Sequence, residues 1–132
     1  MKCTNRKLGE VVVVEIDGKL VGGSDTDAFH GLIKKLLGDG ERRIVINLEK
    51  APWANSQGIG LLIGALTSVT NAGGKLVLAH ACGRIHDILR VTKLILIFET
   101  FGTLDEAVRS VLQGGPGGGA ARVAGVRAIT PA

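Results

Sequence analysis

Aromatic residues are few in this sequence: three phenylalanines, one tryptophan and no tyrosine, 3% of the chain. The basic residues are scattered and form no stripe with interleaved aromatics, which is the footprint of a nucleic-acid interface. No nucleic-acid partner is therefore expected, although the formal net charge is +4 at pH 7. Part of that charge belongs to residues 114–132, which hold Arg122 and Arg127 and no acid. Cysteine is equally sparse. Cys3 and Cys82 fit no paired spacing of a zinc or redox motif, and a reduced, cytoplasmic setting is expected. Long apolar runs are missing too. The longest apolar stretch, Ile59–Leu66, falls far short of the roughly 20 residues that cross a bilayer. The segment Met1–Lys7 carries no apolar signal core, so no membrane insertion is expected.

What the chain has instead is small aliphatic residues. It is 45% hydrophobic and 21% charged, with 20 glycines, a mixture that suits a core of Val, Ile, Leu and Ala. A domain of this size buries enough apolar surface to fold without metals or disulfides. The β-branched run Val11–Ile16 reads as a strand. Asp17-Gly18 carries a hairpin-type turn signal, which predicts a second strand beginning at Lys19-Leu20-Val21. Ser24 is a candidate N-cap, followed by Asp25 and Asp27 where the helix dipole favours acids. Phe29, Leu32, Ile33, Leu36 and Leu37 then recur at helical spacing.

Ile44–Leu48 is nearly all apolar, as a central strand covered on both faces would be. A helix is predicted over Gln57–Asn71, largely buried because its apolar residues cover most of its circumference at the start. Lys75–Ala79 reads as a further strand, and Ile85, Ile88 and Leu89 mark a short helix. Leu94–Phe101 should hold a turn and a strand. Thr103 with Glu106 forms a capping box that opens the last helix. The order β-β-α-β-α-β-α-β-α predicts an α/β fold with a small, mostly parallel sheet and helices packed against it. One domain is expected over residues 1–113, followed by a flexible Gly/Ala-rich tail over 114–132.

The most informative stretch is Ile44–Leu66, a strand, then Trp53-Ala54-Asn55-Ser56-Gln57-Gly58-Ile59-Gly60, then a helix. Ser56 stands at a helix mouth, where unpaired N–H groups and the helix dipole would accommodate a phosphate. Either Ser56 or Asn55 could be the N-cap. Gly58 and Gly60 each cost about 1 kcal/mol of helix stability relative to Ala. Their use would be close approach, either of a neighbouring strand or of a partner's backbone. Trp53 is either a plug beneath the loop or an anchor for a partner.

This stretch resembles the signature of the STAS domain family, which includes the bacterial anti-sigma-factor antagonists. The resemblance extends over about residues 8–112. Gly18-Lys19-Leu20, Gly73-Gly74-Lys75-Leu76-Val77-Leu78, and Leu89, Thr92, Leu94 and Phe98 match further parts of the family pattern. It implies a STAS-like fold and a bacterial, non-enzymatic switch in transcription regulation and signal transduction. In antagonists the unphosphorylated domain binds a kinase-type anti-sigma factor. That serine kinase then phosphorylates the serine following the motif Asp, here Ser56. The implied partner-binding residues are Trp53, Asn55, Ser56, Gln57, Gly58 and Gly60. Four positions depart from the family pattern: Asn55 replaces the motif Asp, Gln57 the second Ser, Asn47 the strand-end Asp, and Val21 an acid often found after Gly-x-Leu. The alternatives are a non-switching STAS subunit of a larger complex, such as a stress-signalling scaffold or lipid-transport machine, or a small-molecule or nucleotide binder at the helix N-terminus.

Other chemistry finds weaker footing. Gly58-x-Gly60-x-x-x-Gly64 displaces the third glycine of a dinucleotide fingerprint, and His80 stands where that fold needs an acid. His80, Cys82 and His86 lack the spacing of a metal site. The turn at Ser56 is not the Gly-x-Ser-x-Gly of a hydrolase, and no acid/base pair stands out beside it. No metal and no cofactor are expected.

Overall fold

A computed structural model of the protein describes residues 2–21, 23, 25–81 and 83–114. Its strands are β1 (Lys2–Leu8), β2 (Val11–Asp17), β3 (Arg43–Lys50), β4 (Lys75–Ala79) and β5 (Thr100–Phe101). Its helices are α1 (Asp25–Gly38), α2 (Ser56–Asn71), α3 (Gly83–Val91) and α4 (Leu104–Gly114), with a 3-10 turn at Leu94–Leu96. The strands lie in the order β1-β2-β3-β4-β5. Only β1 is antiparallel to its neighbour, and the other three pairings are parallel. The expected mostly parallel α/β sheet is what the chain forms.

β3 is the middle strand, and Ile44–Leu48 is buried throughout. Alternation divides its side chains between two cores. Val12, Val14, Ile16, Ile44, Ile46, Leu48, Leu76 and Leu78 pack with α1, α2 and α3. Val11, Val13, Val45 and Val77 pack against Ala107 and Val111 of α4. Phe29 of α1 and Leu62 of α2 are fully buried in the larger core, and each such side chain contributes about 1.5–3 kcal/mol.

The hairpin is not at Asp17-Gly18. It joins β1 to β2 through Gly9-Glu10, with Lys2 opposite Asp17 and Leu8 opposite Val11. Gly9 sits at φ +64, where a side chain would be strained. β1 is an edge strand rich in polar residues, so it lacks the hydrophobic period that marks a strand. Its extended form comes from pairing with β2. The expected strand at Lys19–Val21 is reduced to one parallel bridge, Leu20 with Ala54.

The last helix begins as expected: Glu106 N–H donates to Thr103 Oγ1 at 3.2 Å. The return bond differs from a full capping box, because the Thr103 hydroxyl donates to Glu106 Oε1 at 3.2 Å. α4 runs to Gly114, one residue into the predicted tail. Residues 115–132, the cap candidate Ser24 and the cysteine at 82 lie outside the described residues.

Candidate protein-docking site

β3 ends at Lys50, and the chain then crosses residues 51–55 to enter α2 at Ser56. The loop is fixed from two sides. Ala51 N–H donates to Leu48 O at 3.0 Å, and Glu49 N–H donates to the buried Asn47 Oδ1 at 3.2 Å. On the other side the segment 18–20 is laid against it. Gly18 N–H donates to Lys50 O at 2.9 Å, Leu20 N–H to Trp53 O at 2.9 Å, and Asn55 N–H to Leu20 O at 3.2 Å. These bonds extend the parallel β2–β3 pairing beyond the sheet and hold the Ser56 loop against its neighbour.

Asn55, not Ser56, is the N-cap. It is extended, at φ −106° and ψ −175°, and its Oδ1 accepts the Gly58 N–H at 2.9 Å. An Asp could make the same bond, so replacing the family's acid keeps the cap and removes a charge. No acid lies in the first turn of α2. The helix therefore has no acid of its own to offset its positive end. Truncating the cap, Asn55→Ala, is expected to cost about 1 kcal/mol, read by urea denaturation.

Ser56 and Gln57 are exposed in this first turn, while Asn55 and Trp53 are half-buried. Trp53 is thus not a fully buried plug, and part of it remains on the surface of the loop. Gly58 corrects the expectation that it lines a docking surface. It is buried, and a Cβ added to it would collide with the Leu20 carbonyl. The backbone that approaches it, at Leu20, belongs to its own chain. Gly58 therefore supports the surface from beneath.

Gly60 behaves in the opposite way. It is exposed, and a Cβ there would meet nothing within 4 Å. The fold does not require this glycine, so Gly60→Ala is expected to raise stability by about 1 kcal/mol from helix propensity. If a partner's backbone packs on Gly60, the same variant will bind that partner more weakly; a thermal melt and a binding titration read the two effects separately.

α2 is less buried than its apolar content predicts. Ile59, Leu61, Leu62, Ala65 and Val69 face the core, and Ser56, Gln57, Gly60, Thr67 and Ser68 face solvent. Between α1 and α2 lies a depression of about 110 Å³ lined by His30, Ile33, Lys34, Gly64, Ala65 and Ser68. Pockets for drug-sized ligands hold roughly 300–1,000 Å³, and this one sits along α2 two turns beyond Ser56. His30 lies there, beside Gly64. No hydrogen bond joins Ser56 to a histidine among the described residues. Those residues also contain no cluster of three or more His, Cys, Asp or Glu suited to a metal. No described helix is long and apolar enough to cross a membrane.

Missed by sequence reasoning was the role of the segment 18–20, which carries the loop's hydrogen bonds. The turn signal at Asp17-Gly18, the expected strand from Lys19 and the Gly18-Lys19-Leu20 match all marked the segment, but none pointed to its pairing with this loop.

A Thermotoga neapolitana protein provisionally named an anti-sigma factor antagonist is 26% identical over 106 residues, 80% of this chain and 94% of that protein. The crystal structure of a Thermotoga maritima protein with the same provisional description superposes with a TM-score of 0.71 at 21% identity, covering 83% of this chain and 94% of that one. The anti-sigma factor antagonist SpoIIAA, in its unphosphorylated form, gives 0.66 at 17% identity over 86% of this chain and 99% of its own. These two structures establish likeness of fold. The family model of the STAS domain matches residues 3–107, and the chain belongs to the STAS domain family.

Proposed function

We propose that this domain is an anti-sigma-factor antagonist that binds a kinase-type anti-sigma factor through the Ser56 loop and is released by phosphorylation of Ser56. The observation that carries this reading is an exposed Ser56 in the first turn of α2, at a helix end with no acid in its first turn. An added phosphate carries a charge of about −1.5 to −2. The helix N-terminus stabilises that charge within the free domain. The same charge at the centre of a complex repels and must be desolvated, so the complex weakens. Trp53, Asn55, Gln57 and Gly60 surround Ser56 and form the contact, with Gly58 beneath them. ATP and the catalytic groups belong to the partner, and this chain acts as a non-enzymatic, cytoplasmic regulator of transcription.

A second reading, the non-switching subunit, is favoured by the neutral residues Asn47, Asn55 and Gln57, with Val21 nearby. The first experiment uses the chain as bait in lysate of its native host, with captured proteins identified by mass spectrometry and re-bound in purified form. A partner with a kinase fold that phosphorylates the bait supports the switch. A stable partner without kinase activity, bound equally by wild type and Ser56→Asp, supports the second reading.

A further inference from the structure

The loop that carries Ser56 has a second extended segment alongside it. Leu20 and Ala54 form a parallel bridge, closed by Leu20 N–H donating to Trp53 O at 2.9 Å and Asn55 N–H donating to Leu20 O at 3.2 Å. Leu20 and Ala54 are both buried. Side chains alternate along extended backbone, so Lys19 and Val21 share the outer side with Trp53 and Asn55. Lys19 is exposed there, and Val21, Trp53 and Asn55 are half-buried. The Leu20 carbonyl also lies against Gly58, in the first turn of α2. The peptide between Leu20 and Val21 therefore reaches from the N-cap residue to the helix, and Val21 stands at the same mouth as Ser56.

Charge is scarce on this surface. Across residues 18–21 and 51–58 the one charged side chain is Lys19, and α2 has no acid in its first turn. The nearest acids in sequence, Asp17 and Glu49, belong to β2 and β3, and Asp17 has Lys50 opposite it in the register. A lysine or arginine of a partner set against Val21 would lose its water beside the positive end of the helix and find no carboxylate in exchange. An apolar side chain has no charge to desolvate and would cover the exposed part of Val21. The surface therefore discriminates by rejecting a base as well as by accepting an apolar group.

We infer that Val21 is a specificity-determining residue of this docking surface, and that the anti-sigma factor covering the Ser56 loop sets an uncharged, apolar side chain against it. The inference rests on reading the Ser56 loop as the contact, and it holds whether or not Ser56 is phosphorylated. Val21 is continuous with Trp53 and Asn55 through the bridge, so a partner that reaches Ser56 across Asn55 meets Val21 as well. A partner that docks through a base is turned away. An acid at this one position would convert a site that rejects a base into one that attracts it.

The test titrates the purified partner, captured with the wild-type chain, against the full chain as wild type, Val21→Ala, Val21→Asp and Ser56→Asp. A thermal melt accompanies each titration. Val21→Asp should melt no lower than Val21→Ala, because an acid at a helix N-terminus is stabilised. The expected order of affinity is wild type, then Val21→Ala, then Val21→Asp, with the acid weakening binding about tenfold or more. Tighter binding of Val21→Asp would reveal a basic contact residue and overturn the inference. Equal binding by the wild type, Val21→Ala and Val21→Asp would overturn it too. Unchanged binding by Val21→Asp together with loss by Ser56→Asp sinks this inference and leaves the switch standing. Loss by Val21→Asp with none by Ser56→Asp removes the switch and supports the contact at Val21.

Discussion

Gly58→Ala is expected to lower the stability of the domain by about 2 kcal/mol, even though alanine is the better helix former. Two effects compete. Replacing a glycine inside a helix gains about 1 kcal/mol. Against this, the new Cβ would fall on the Leu20 carbonyl, which is backbone and cannot rotate aside as a flexible side chain could. The segment 18–20 must move, and overpacking of this kind costs about 3 kcal/mol. Its hydrogen bonds to Trp53 and Asn55 are the first to suffer. For a domain of this size, a net loss of about 2 kcal/mol lowers Tm by roughly 10 °C. Urea denaturation reads the loss directly. A variant as stable as the wild type would mean that Leu20 does not lie across α2. The contrast with Gly60→Ala, expected to be stabilising, makes the pair diagnostic: two glycines one helical half-turn apart, with opposite signs.

Ser56→Asp is expected to weaken partner binding at least tenfold while leaving the free domain slightly more stable. An acid in the first turn of a helix gains about 0.3–1 kcal/mol from the dipole, and α2 has none there. In the complex the same charge is placed against a partner surface complementary to a neutral serine, and unfavourable charge at an interface costs several kcal/mol. Stability and affinity therefore move in opposite directions, which excludes misfolding as the cause of lost binding. Thermal melts of the variant and calorimetric titration with the purified partner measure the two changes. Equal affinity of wild type and Ser56→Asp would remove the switch and favour a constitutive subunit.

The alternation of strands and helices was legible because most strands carry a strong signal. Val11–Ile16 and Ile44–Leu48 are β-branched and apolar, and both become buried strands. β1 was not, because an exposed edge strand need not bury either face and so shows no period. Asp17-Gly18 marks the end of β2 and a bend, not a hairpin, and the chain there runs on beside the loop after β3, a tertiary choice that local residues do not encode. At the site, Asn55 and Ser56 are both good capping residues, and only the bond from Gly58 N–H to Asn55 Oδ1 separates them. Gly58 and Gly60 look alike in sequence. Their different roles depend on Leu20, which approaches one and not the other.

The central claim is that Ser56 is the residue through which a partner kinase controls this domain. The most direct test is intact-mass spectrometry of wild type and Ser56→Ala after incubation with the purified partner and ATP, followed by fragmentation of any modified chain. The account predicts the mass of one added phosphoryl group on the wild type, localised to Ser56, and none on Ser56→Ala. An unmodified wild type, or a phosphoryl group that persists in Ser56→Ala, would contradict it.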